Sequence, residues 1–538
     1  MVYEATWTQD PSKLNKVELL KLEKDGLDVI RSIIETYSQQ GYSSIPEDEL
    51  NRFKWAGVYE QKPKDGHFMM RVRINTGKMT SDQARALAEI SRVYGRNLVD
   101  ITTRQAIQFH WLRVEDLPDI FNRLEAVGLY SFEACGDCPR TIVGNPLAGI
   151  DPDELMDTTA LVEEVNEFFL LNPDFSNLPR KFKISISSSI HNTAHAEIND
   201  LAFTPAVKVI DGVEVTGFHV WVGGGLSAKP FLAKKLDLFA RPEDVLRVAI
   251  GVTTLFRDYG YREKRHHARL KFLVADWGPE KFLTELTPLI GDFPGLGEDK
   301  TVDWNGAYFD GVHSQKQPDL QYVGLNVPVG RLSGDELTAL AQAADTFGEG
   351  SLRTTMSQNI ILSGVSADQV EALLKEAVLE RLSPFPDRFL SRTVSCTGNE
   401  FCNLAIVETK ERARTVAEYL DEKVELDQDV RIHFVGCPNN CGHKYIADIG
   451  LQGALVKTPE GMIDAFDISV GGTLGPDAQF VTTLKGRVKG DQVGPVLEQL
   501  ILYYRDNRSN EESFHQFVHR VGADAFQEKL NEVLATAS

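Results

Sequence analysis

The stretch GKMTSD at residues 77–82 recurs as GRLSGD at residues 330–335, which is an offset of 253 residues. The same offset relates Gln105 to Gln358. Each copy has the residue spacing of a strand, a helix with one apolar face, a second strand and a further helix. Because one register holds over about thirty residues, we interpret the two stretches as copies of one small module.

A second repeat follows each small module. Asp200 matches Asp448, and VGG at residues 222–224 matches VGG at 470–472, both at an offset of 248 residues. The order small, large, small, large predicts an α+β fold with pseudo-two-fold symmetry and a central cleft for a large flat cofactor. The predicted segments are an N-terminal helical extension at 1–62, small modules at 63–130 and 313–382, and large modules at 131–312 and 383–538.

Four of the six cysteines form two close pairs in the second large module. Cys396 and Cys402 lie in SCTGNEFC, and Cys437 and Cys441 lie in GCPNNCG. Four thiolates from two such pairs are what a 4Fe-4S cube needs, one for each iron. Zinc sites also take four thiolates, but their paired ligands are usually closer in sequence than Cys396 and Cys402. The spacing therefore favours a cluster over zinc, with a set of buried packed thiols as a third alternative.

These motifs resemble the sirohaem and 4Fe-4S signature of the assimilatory sulfite and nitrite reductases. Further matches to that family run from about Phe53 to about Arg508. The resemblance implies ferredoxin-like small modules, two larger modules that hold sirohaem and the cluster, and a Cys441 thiolate that also ligates the sirohaem iron. Within the family, the chain is most similar to the ferredoxin-dependent assimilatory sulfite reductases.

The resemblance also implies an anion site in the first half of the chain. Arg71 matches the arginine of M-x-R, Arg140 the arginine before the GNP loop, and Lys181 the lysine of LPRK. Lys181, Lys183 and Ser185 alternate with apolar residues, so they share one face of a predicted strand. From the pattern alone, a solvated polar face is the alternative interpretation of such strands.

Lys183 bears on the substrate. Sulfite reductases of this family show Lys-x-Lys at this place, whereas plant-type nitrite reductases show Lys-x-Asn, and this chain has Lys181-Phe182-Lys183. Sulfite carries more negative charge than nitrite at neutral pH, so a second ammonium group beside it is favourable. We predict six-electron reduction of sulfite to sulfide, with reduction of nitrite to ammonia as the alternative. A non-catalytic iron–sulfur or zinc-binding module is a remote third.

The segment TTRQAIQFH at residues 102–110 resembles the family strand that lines the macrocycle. The resemblance implies that its polar side chains bind the cofactor: Thr102, Thr103, Arg104, Gln105, Gln108 and His110. His110 is a hydrogen-bonding or packed residue rather than an axial ligand if Cys441 bridges. The basic run at residues 262–271 allows three interpretations: a solvated helix face, a site for haem carboxylates, or a docking patch for ferredoxin.

Two further cysteines, Cys135 and Cys138, lie in ACGDCPR. One branch of the ferredoxin-dependent sulfite reductases has this segment together with a Tyr–Cys thioether beside the haem. The resemblance implies Tyr59 as the tyrosine, with Cys135 favoured over Cys138 as its partner. An inert packed cysteine is the alternative for either residue.

Composition limits the partners. A net charge of −21 argues against nucleic acid, and any acidic ferredoxin would need a local basic patch. The sequence has no dinucleotide-binding glycine loop, so electrons must come from another protein. We expect ferredoxin, with a flavoprotein subunit as the alternative. No apolar run reaches the length of a membrane span, and the few cysteines fit a reducing cytoplasm. We expect a monomer.

Overall fold

The computed structural model describes residues 10–459 and 461–536. The described part of the N-terminal segment contains several helices, and the first nine residues of the predicted extension lie outside the described residues. Its α-helices are short and are interrupted by a π-helical turn at Ile33–Tyr37: α1 (Lys16–Glu23), α2 (Asp28–Ser32), α3 (Ser38–Gln40) and α4 (Glu47–Arg52). Trp55 follows them and packs between Gly26 and Gly136, so this segment covers the loop that carries Cys135.

The first small module contains five strands and two helices: β1 (Val58–Glu60), β2 (His67–Val72), β3 (Lys78–Thr80), α5 (Ser81–Tyr94), β4 (Leu98–Ile101), β5 (Ile107–Arg113) and α6 (Leu117–Glu125). Helix α5 begins with a capping box formed by Thr80 and Gln83. Such a box satisfies backbone N–H groups at a helix start. The second copy begins its helix with the matching pair, Ser333 and Glu336, at the repeat offset.

The large modules are continuous with the small ones along the chain. The first has β6 (Val143–Gly144), α7 (Thr159–Phe169), β7 (Ile184–Ile186), β8 (Leu201–Ile210), β9 (Val213–Val222), β10 (Lys234–Ala240), α8 (Val245–Tyr259), α9 (Leu270–Ile290) and β11 (Glu298–Asp299). The second small module follows with β12 (Gly311–Ser314), β13 (Leu320–Leu325), β14 (Arg331–Ser333), α10 (Gly334–Phe347), β15 (Ser351–Thr354), β16 (Ile360–Ser366) and α11 (Val370–Leu373).

The second large module completes the chain: α12 (Arg388–Ser391), β17 (Thr393–Ser395), α13 (Lys410–Lys423), β18 (Ile432–Val435), β19 (Ile449–Thr458), β20 (Gly461–Val470), β21 (Thr482–Lys489), α14 (Val493–Asn507), α15 (Phe514–Val521) and α16 (Ala523–Thr536). The hairpin β8–β9 and helix α8 recur as β19–β20 and α14 at the offset of 248 residues. This recurrence confirms the duplicated α+β architecture.

The two small modules exchange edge strands. One sheet has the order β1-β2-β5-β4-β14, and the other has the order β12-β13-β16-β15-β3. Strand β14 therefore completes the first copy's sheet, and β3 completes the second copy's sheet. Buried residues of both modules form one hydrophobic cluster, in which Leu87 of α5 and Leu340 of α10 both take part. The small modules are thus one structural unit, and the large modules have separate cores.

The strand predicted around Lys181 and Lys183 is shorter than its alternating pattern suggests. Strand β7 begins only at Ile184. The backbone N–H of Lys183 donates to the Asp200 carboxylate at 2.8 Å instead of to a neighbouring strand. Both lysines therefore precede the regular sheet. Among the described residues, no helix combines the length and apolar character needed to cross a bilayer.

Candidate active site

The four cysteines lie on two loops that meet at one edge of a sheet. Strand β17 ends immediately before Cys396, and β18 ends at Val435, two residues before Cys437. Because β17 and β18 are parallel, their carboxyl ends lie side by side. The backbone N–H of Gly436 donates to the Cys396 sulfur at 3.2 Å, which joins the two loops directly.

Backbone N–H groups also face the sulfurs of Cys402 and Cys437. Burial nevertheless raises the pKa of the Cys396 thiol to about 11, and it raises the pKa of Cys402 and Cys437 as well. A metal centre supplies the positive charge that converts such thiols into thiolates. The donor set and the N–H groups around it therefore suit an iron–sulfur cluster.

Zinc fits this arrangement less well. Within residues 10–459 and 461–536, no three His, Cys, Asp or Glu side chains come together closely enough to hold one metal ion. A single zinc ion draws all its ligands to one centre. A cube takes one thiolate on each of its four irons, so its cysteines stand further apart. The described cysteines are thus not gathered around a single zinc position.

The predicted anion-binding lysines, Lys181 and Lys183, interact with Arg104, Arg140 and Arg269, and the site that these side chains surround is called the cation cavity below. Burial, reinforced by Arg269, lowers the pKa of Lys181 to about 7. Burial and the neighbouring Arg104 and Lys181 hold the pKa of Lys183 well below its usual range. Burial and Arg140 lower the pKa of Arg104 to about 9. These cations repel one another, and an entering anion relieves that repulsion.

Several buried polar atoms of this cavity have no hydrogen-bond partner in the described part of the chain: Arg71 Nε, Arg104 Nε and Ser185 Oγ. Unpaired buried donors are costly unless a ligand satisfies them. A carboxylate-rich macrocycle supplies acceptors for guanidinium and hydroxyl groups. The residues present therefore fit sirohaem, with Arg104 as a predicted contact, and leave Arg71, Arg140, Lys181 and Lys183 as the predicted anion-binding cations.

The cation cavity adjoins the last cluster cysteine. Cys441 interacts electrostatically with both Lys181 and Lys183, and its side chain is exposed. Thr103 donates its hydroxyl to the Cys441 carbonyl at 2.8 Å. The first half of the chain thus supplies cations to the place where the second half presents a thiol.

A second link runs from the cavity to the cluster loop. Arg71 Nη2 donates to Gln108 Oε1 at 2.8 Å, and Gln108 Nε2 donates to Thr397 Oγ1 at 3.1 Å. Thr397 follows Cys396 directly. The Gln108 amide therefore orients the Arg71 guanidinium relative to the cluster loop.

Gln105 and Thr102, which were predicted to contact the cofactor, are occupied elsewhere. The Gln105 amide donates to the carbonyls of Thr76 and Thr354 and accepts from the Gly144 N–H at 3.1 Å. Thr102 Oγ1 accepts two backbone N–H groups of its own turn. Both residues are therefore placed to shape the turn that carries Thr103 and Arg104, which favours a structural role over direct contact.

His110 is also packed inside the protein. Its Nε2 lies 3.0 Å from Asp100 Oδ2, and its ring stacks on Phe401 with centroids 3.8 Å apart. Burial lowers the pKa of His110. The interpretation of His110 as a hydrogen-bonded, packed residue fits these contacts better than direct contact with the cofactor does.

Tyr59 faces Cys135. Burial and the Cys135 thiol, which hydrogen-bonds the phenol, raise the pKa of Tyr59. Cys138 instead directs its thiol to the Cys135 carbonyl at 3.0 Å. The Arg140 guanidinium fixes this loop by three bonds to the carbonyls of Gly136 and Ala134, so it braces the loop as well as adding charge to the cavity.

The arginines of the basic run have acidic partners inside the protein, which argues against a fully solvated helix face; the haem-carboxylate and ferredoxin interpretations stay predictions. Arg262 pairs with Glu18 at 2.5 Å, and Arg269 pairs with Asp200 at 2.7 Å. Arg265 donates to both oxygens of Asp137. Arg262 and Arg265 thus tie the N-terminal segment and the Cys135 loop to this run.

The sequence analysis missed Thr409 and Lys410 at the start of α13. Thr409 directs its hydroxyl to the Cys396 carbonyl at 2.8 Å rather than capping the helix. Lys410 is buried, with its Nζ 3.7 Å from Asp100. A threonine before an amphipathic run is a readable helix-start signal. Nothing in the spacing, however, placed that helix start beside Cys396.

Comparisons with known proteins agree with this site. A family model described as "Nitrite and sulphite reductase 4Fe-4S domain" matches residues 135–291 and 388–537. A second, "Nitrite/Sulfite reductase ferredoxin-like half domain", matches residues 59–127 and 313–378. The matched ranges follow the alternation of large and small modules.

Relatives of both substrate classes match over almost the whole chain. A ferredoxin–nitrite reductase of Synechococcus elongatus is 42% identical over 504 residues, which cover 92% of this chain and 97% of that protein. Sulfite reductase (ferredoxin) 1 of Mycolicibacterium paratuberculosis is 36% identical over 548 residues, which cover 96% of this chain and 97% of that protein.

Among solved structures, that of the Mycobacterium tuberculosis NirA protein superposes with a TM-score of 0.90 at 36% identity, covering 96% of this chain and 97% of that one. The family match, the cysteine loops and the cation cavity agree. The chain therefore belongs to the nitrite and sulfite reductase family, and it is an oxidoreductase that binds sirohaem and a 4Fe-4S cluster.

Proposed function

We propose that this enzyme reduces sulfite to sulfide with electrons from ferredoxin. The observation that supports sulfite most directly is the presence of two lysines, Lys181 and Lys183, in one cavity beside Cys441. Sulfite bears more charge than nitrite at neutral pH, so it gains more from a second ammonium group. Sirohaem, when bound, supplies the iron on which the anion is reduced, and the cluster supplies the electrons.

The cavity residues bind the anion and handle protons. Arg71 and Arg140 supply fixed charge, because a guanidinium keeps its proton at any working pH. Lys181 suits proton transfer, because burial and its arginine neighbours lower its pKa to about 7. An entering anion favours the protonated form, and each oxygen that leaves as water takes up two protons, which Lys181 would help to supply. Lys183, two residues further along the chain, is a second buried ammonium group whose pKa burial and the neighbouring Arg104 hold well below its usual range.

The Lys183→Asn substitution tests the choice of anion. Loss of one charge-assisted contact costs about 1.5–3 kcal/mol, so kcat/KM for sulfite should fall at least about tenfold while that for nitrite changes less than about threefold. Lys457→Asn removes an exposed lysine of β19 and is the matched control. Unchanged turnover of sulfite by Lys183→Asn would contradict the assignment.

Nitrite reduction to ammonia is the second candidate. It is favoured by the 42% identity to the nitrite reductase of Synechococcus elongatus, which exceeds the 36% identity to the mycobacterial sulfite reductase. Steady-state rates with both anions and reduced ferredoxin distinguish the two functions. A kcat/KM for nitrite that exceeds the value for sulfite in the native enzyme would make nitrite the substrate.

Ferredoxin is proposed as donor because the relatives of both classes are named for it. We also propose that the enzyme acts as a cytoplasmic monomer. Four of its six cysteines lie in the cluster motif, and such chemistry suits a reducing compartment. Light scattering on the purified holoenzyme should give a mass near 60.0 kDa, and a dimeric mass would contradict the monomer.

A further inference from the structure

Lys410 is a buried cation close to the cluster loop. It is the first residue of α13, only 3% of its surface is exposed, and its Nζ donates to the Val329 carbonyl. Its ionic partner is the Asp100 carboxylate, with Oδ1 3.7 Å from Lys410 Nζ. A lysine is rarely buried unless it is paired, because removing an ammonium group from water is expensive. The folding of α13 alone therefore does not explain why Lys410 is buried at this position.

Asp100 brings a buried anion to the same place from another module. It lies on β4 with 2% of its surface exposed. Arg331 binds it through two hydrogen bonds, of 2.8 and 3.1 Å, and His110 lies 3.0 Å away. Burial disfavours ionisation of Asp100, but Lys410 and Arg331 outweigh that effect and hold its pKa well below the usual range. Asp100 is therefore charged.

The other acidic side chains near Lys410 and Asp100 are either more exposed or bound to the backbone. Arg331 also pairs with Glu400 at 2.8 Å, and Glu400 has 39% of its side chain exposed. Glu408 turns its carboxylate to the backbone N–H groups of Glu411 and Arg412, where it caps α13. Exposed charges are screened by water and salt, whereas buried ones are not. Lys410 and Asp100 are thus the two charges of this group with the least screening.

Both residues contact the cluster loop through neighbours. Thr409, beside Lys410, has its hydroxyl 3.7 Å from the Cys396 sulfur. Lys410 is itself electrostatically coupled to Cys396. On the other side, His110, which Asp100 binds, stacks on Phe401, the residue before Cys402. The pair therefore lies against the loop that carries two of the four predicted cluster ligands.

Reduction of a cluster adds one negative charge. A fixed cation nearby stabilises the reduced form and raises the reduction potential, and a fixed anion lowers it. We propose that Lys410 and Asp100 set the reduction potential of the cluster by opposing effects, Lys410 raising it and Asp100 lowering it. This role concerns electron supply to the site, so it does not depend on whether sulfite or nitrite is the substrate.

The test is a redox titration of the full-length holoenzyme, followed by the EPR signal of the reduced cluster. At the potential that half-reduces the native cluster, Lys410→Met should be less than about one quarter reduced, and Asp100→Asn should be more than about three quarters reduced. The double variant should return towards half. Lys423→Met, which removes an exposed charge at the far end of α13, roughly 20 Å away, should remain half reduced.

The opposite signs separate this role from a packing role. A merely structural pair would shift the potential in one direction in both variants, or not at all, and either result would overturn the proposal. Iron content is measured on each variant first. If Lys410→Met does not assemble the cluster, Lys410→Arg keeps the charge and should keep the native midpoint, and Asp100→Asn alone still tests the predicted sign.

Discussion

Thr103 and Cys441 are joined by a hydrogen bond of 2.8 Å although 338 residues separate them in the chain. Thr103 belongs to the turn between β4 and β5, and Cys441 is the last of the four cysteines. The bond is one of the direct contacts between the half of the chain that supplies the cations and the half that supplies the thiols. The position of the Cys441 backbone is therefore set partly by the first small module.

Thr103→Val tests this link. The substitution keeps the shape of the side chain and removes the donor, so it should cost about 1 kcal/mol and lower the melting temperature of the holoenzyme slightly. It should also change the visible absorption of the bound sirohaem, because the Cys441 loop is less constrained. Thr346→Val is the control, since Thr346 makes an equivalent bond on an exposed helix face. Identical spectra for both variants would contradict a role for Thr103 at Cys441.

Asp137 is the centre of a buried ionic group in the Cys135 loop. Lys21 and Arg265 each approach it to 2.8 Å, and Arg180 approaches to 3.4 Å. Asp137→Asn leaves these cations without their shared anion, which should destabilise the protein by about 3 kcal/mol. Lys21→Met should cost less, because two cations remain on Asp137. Melting temperatures of the two variants give the order, and equal losses would contradict a central role for Asp137.

The repeats allowed much of the fold to be predicted, whereas contacts between residues far apart in the sequence could not be predicted. The offset of 248 residues predicts the recurrence of β8–β9 as β19–β20, because each copy buries the same alternating pattern. The exchange of β3 and β14 could not be predicted, since three residues do not identify their partner strand. The ion pairs of the basic run could not be predicted either, because Glu18 and Asp137 lie more than a hundred residues before their partners Arg262 and Arg265.

The geometry at Tyr59 makes the predicted thioether testable. Its formation removes one hydrogen from the Tyr59 ring and one from the Cys135 thiol, and the two electrons pass to an oxidant such as dioxygen. Because the Cys135 thiol faces Tyr59 and the Cys138 thiol faces a carbonyl, Cys135→Ser should abolish the cross-link and Cys138→Ser should retain it. Mass spectrometry of tryptic peptides detects the linked pair by the loss of two hydrogens. A cross-link that survives in Cys135→Ser would assign Cys138 instead.

Glu133 predicts a pH dependence of stability. It is buried beside the Cys135 loop, and its carboxylate accepts the Leu171 N–H at 2.5 Å. Burial raises its pKa from 4.5 to about 7, although Arg73 opposes the shift. The native state therefore binds the proton more tightly than the unfolded state does. Its contribution to stability is complete below about pH 4.5 and is lost as the pH rises to about 7.

Glu133→Gln keeps the hydrogen-bond acceptor and removes the titration. The difference in melting temperature, variant minus native, should therefore increase between pH 5 and pH 8, and the underlying free energy should change by about 3 kcal/mol. Glu125→Gln, at an exposed position on the end of α6, is the control and should show a constant difference. A difference for Glu133→Gln that stays constant, or that decreases with pH, would mean that Glu133 is ionised in the native protein and that Arg73 outweighs its burial.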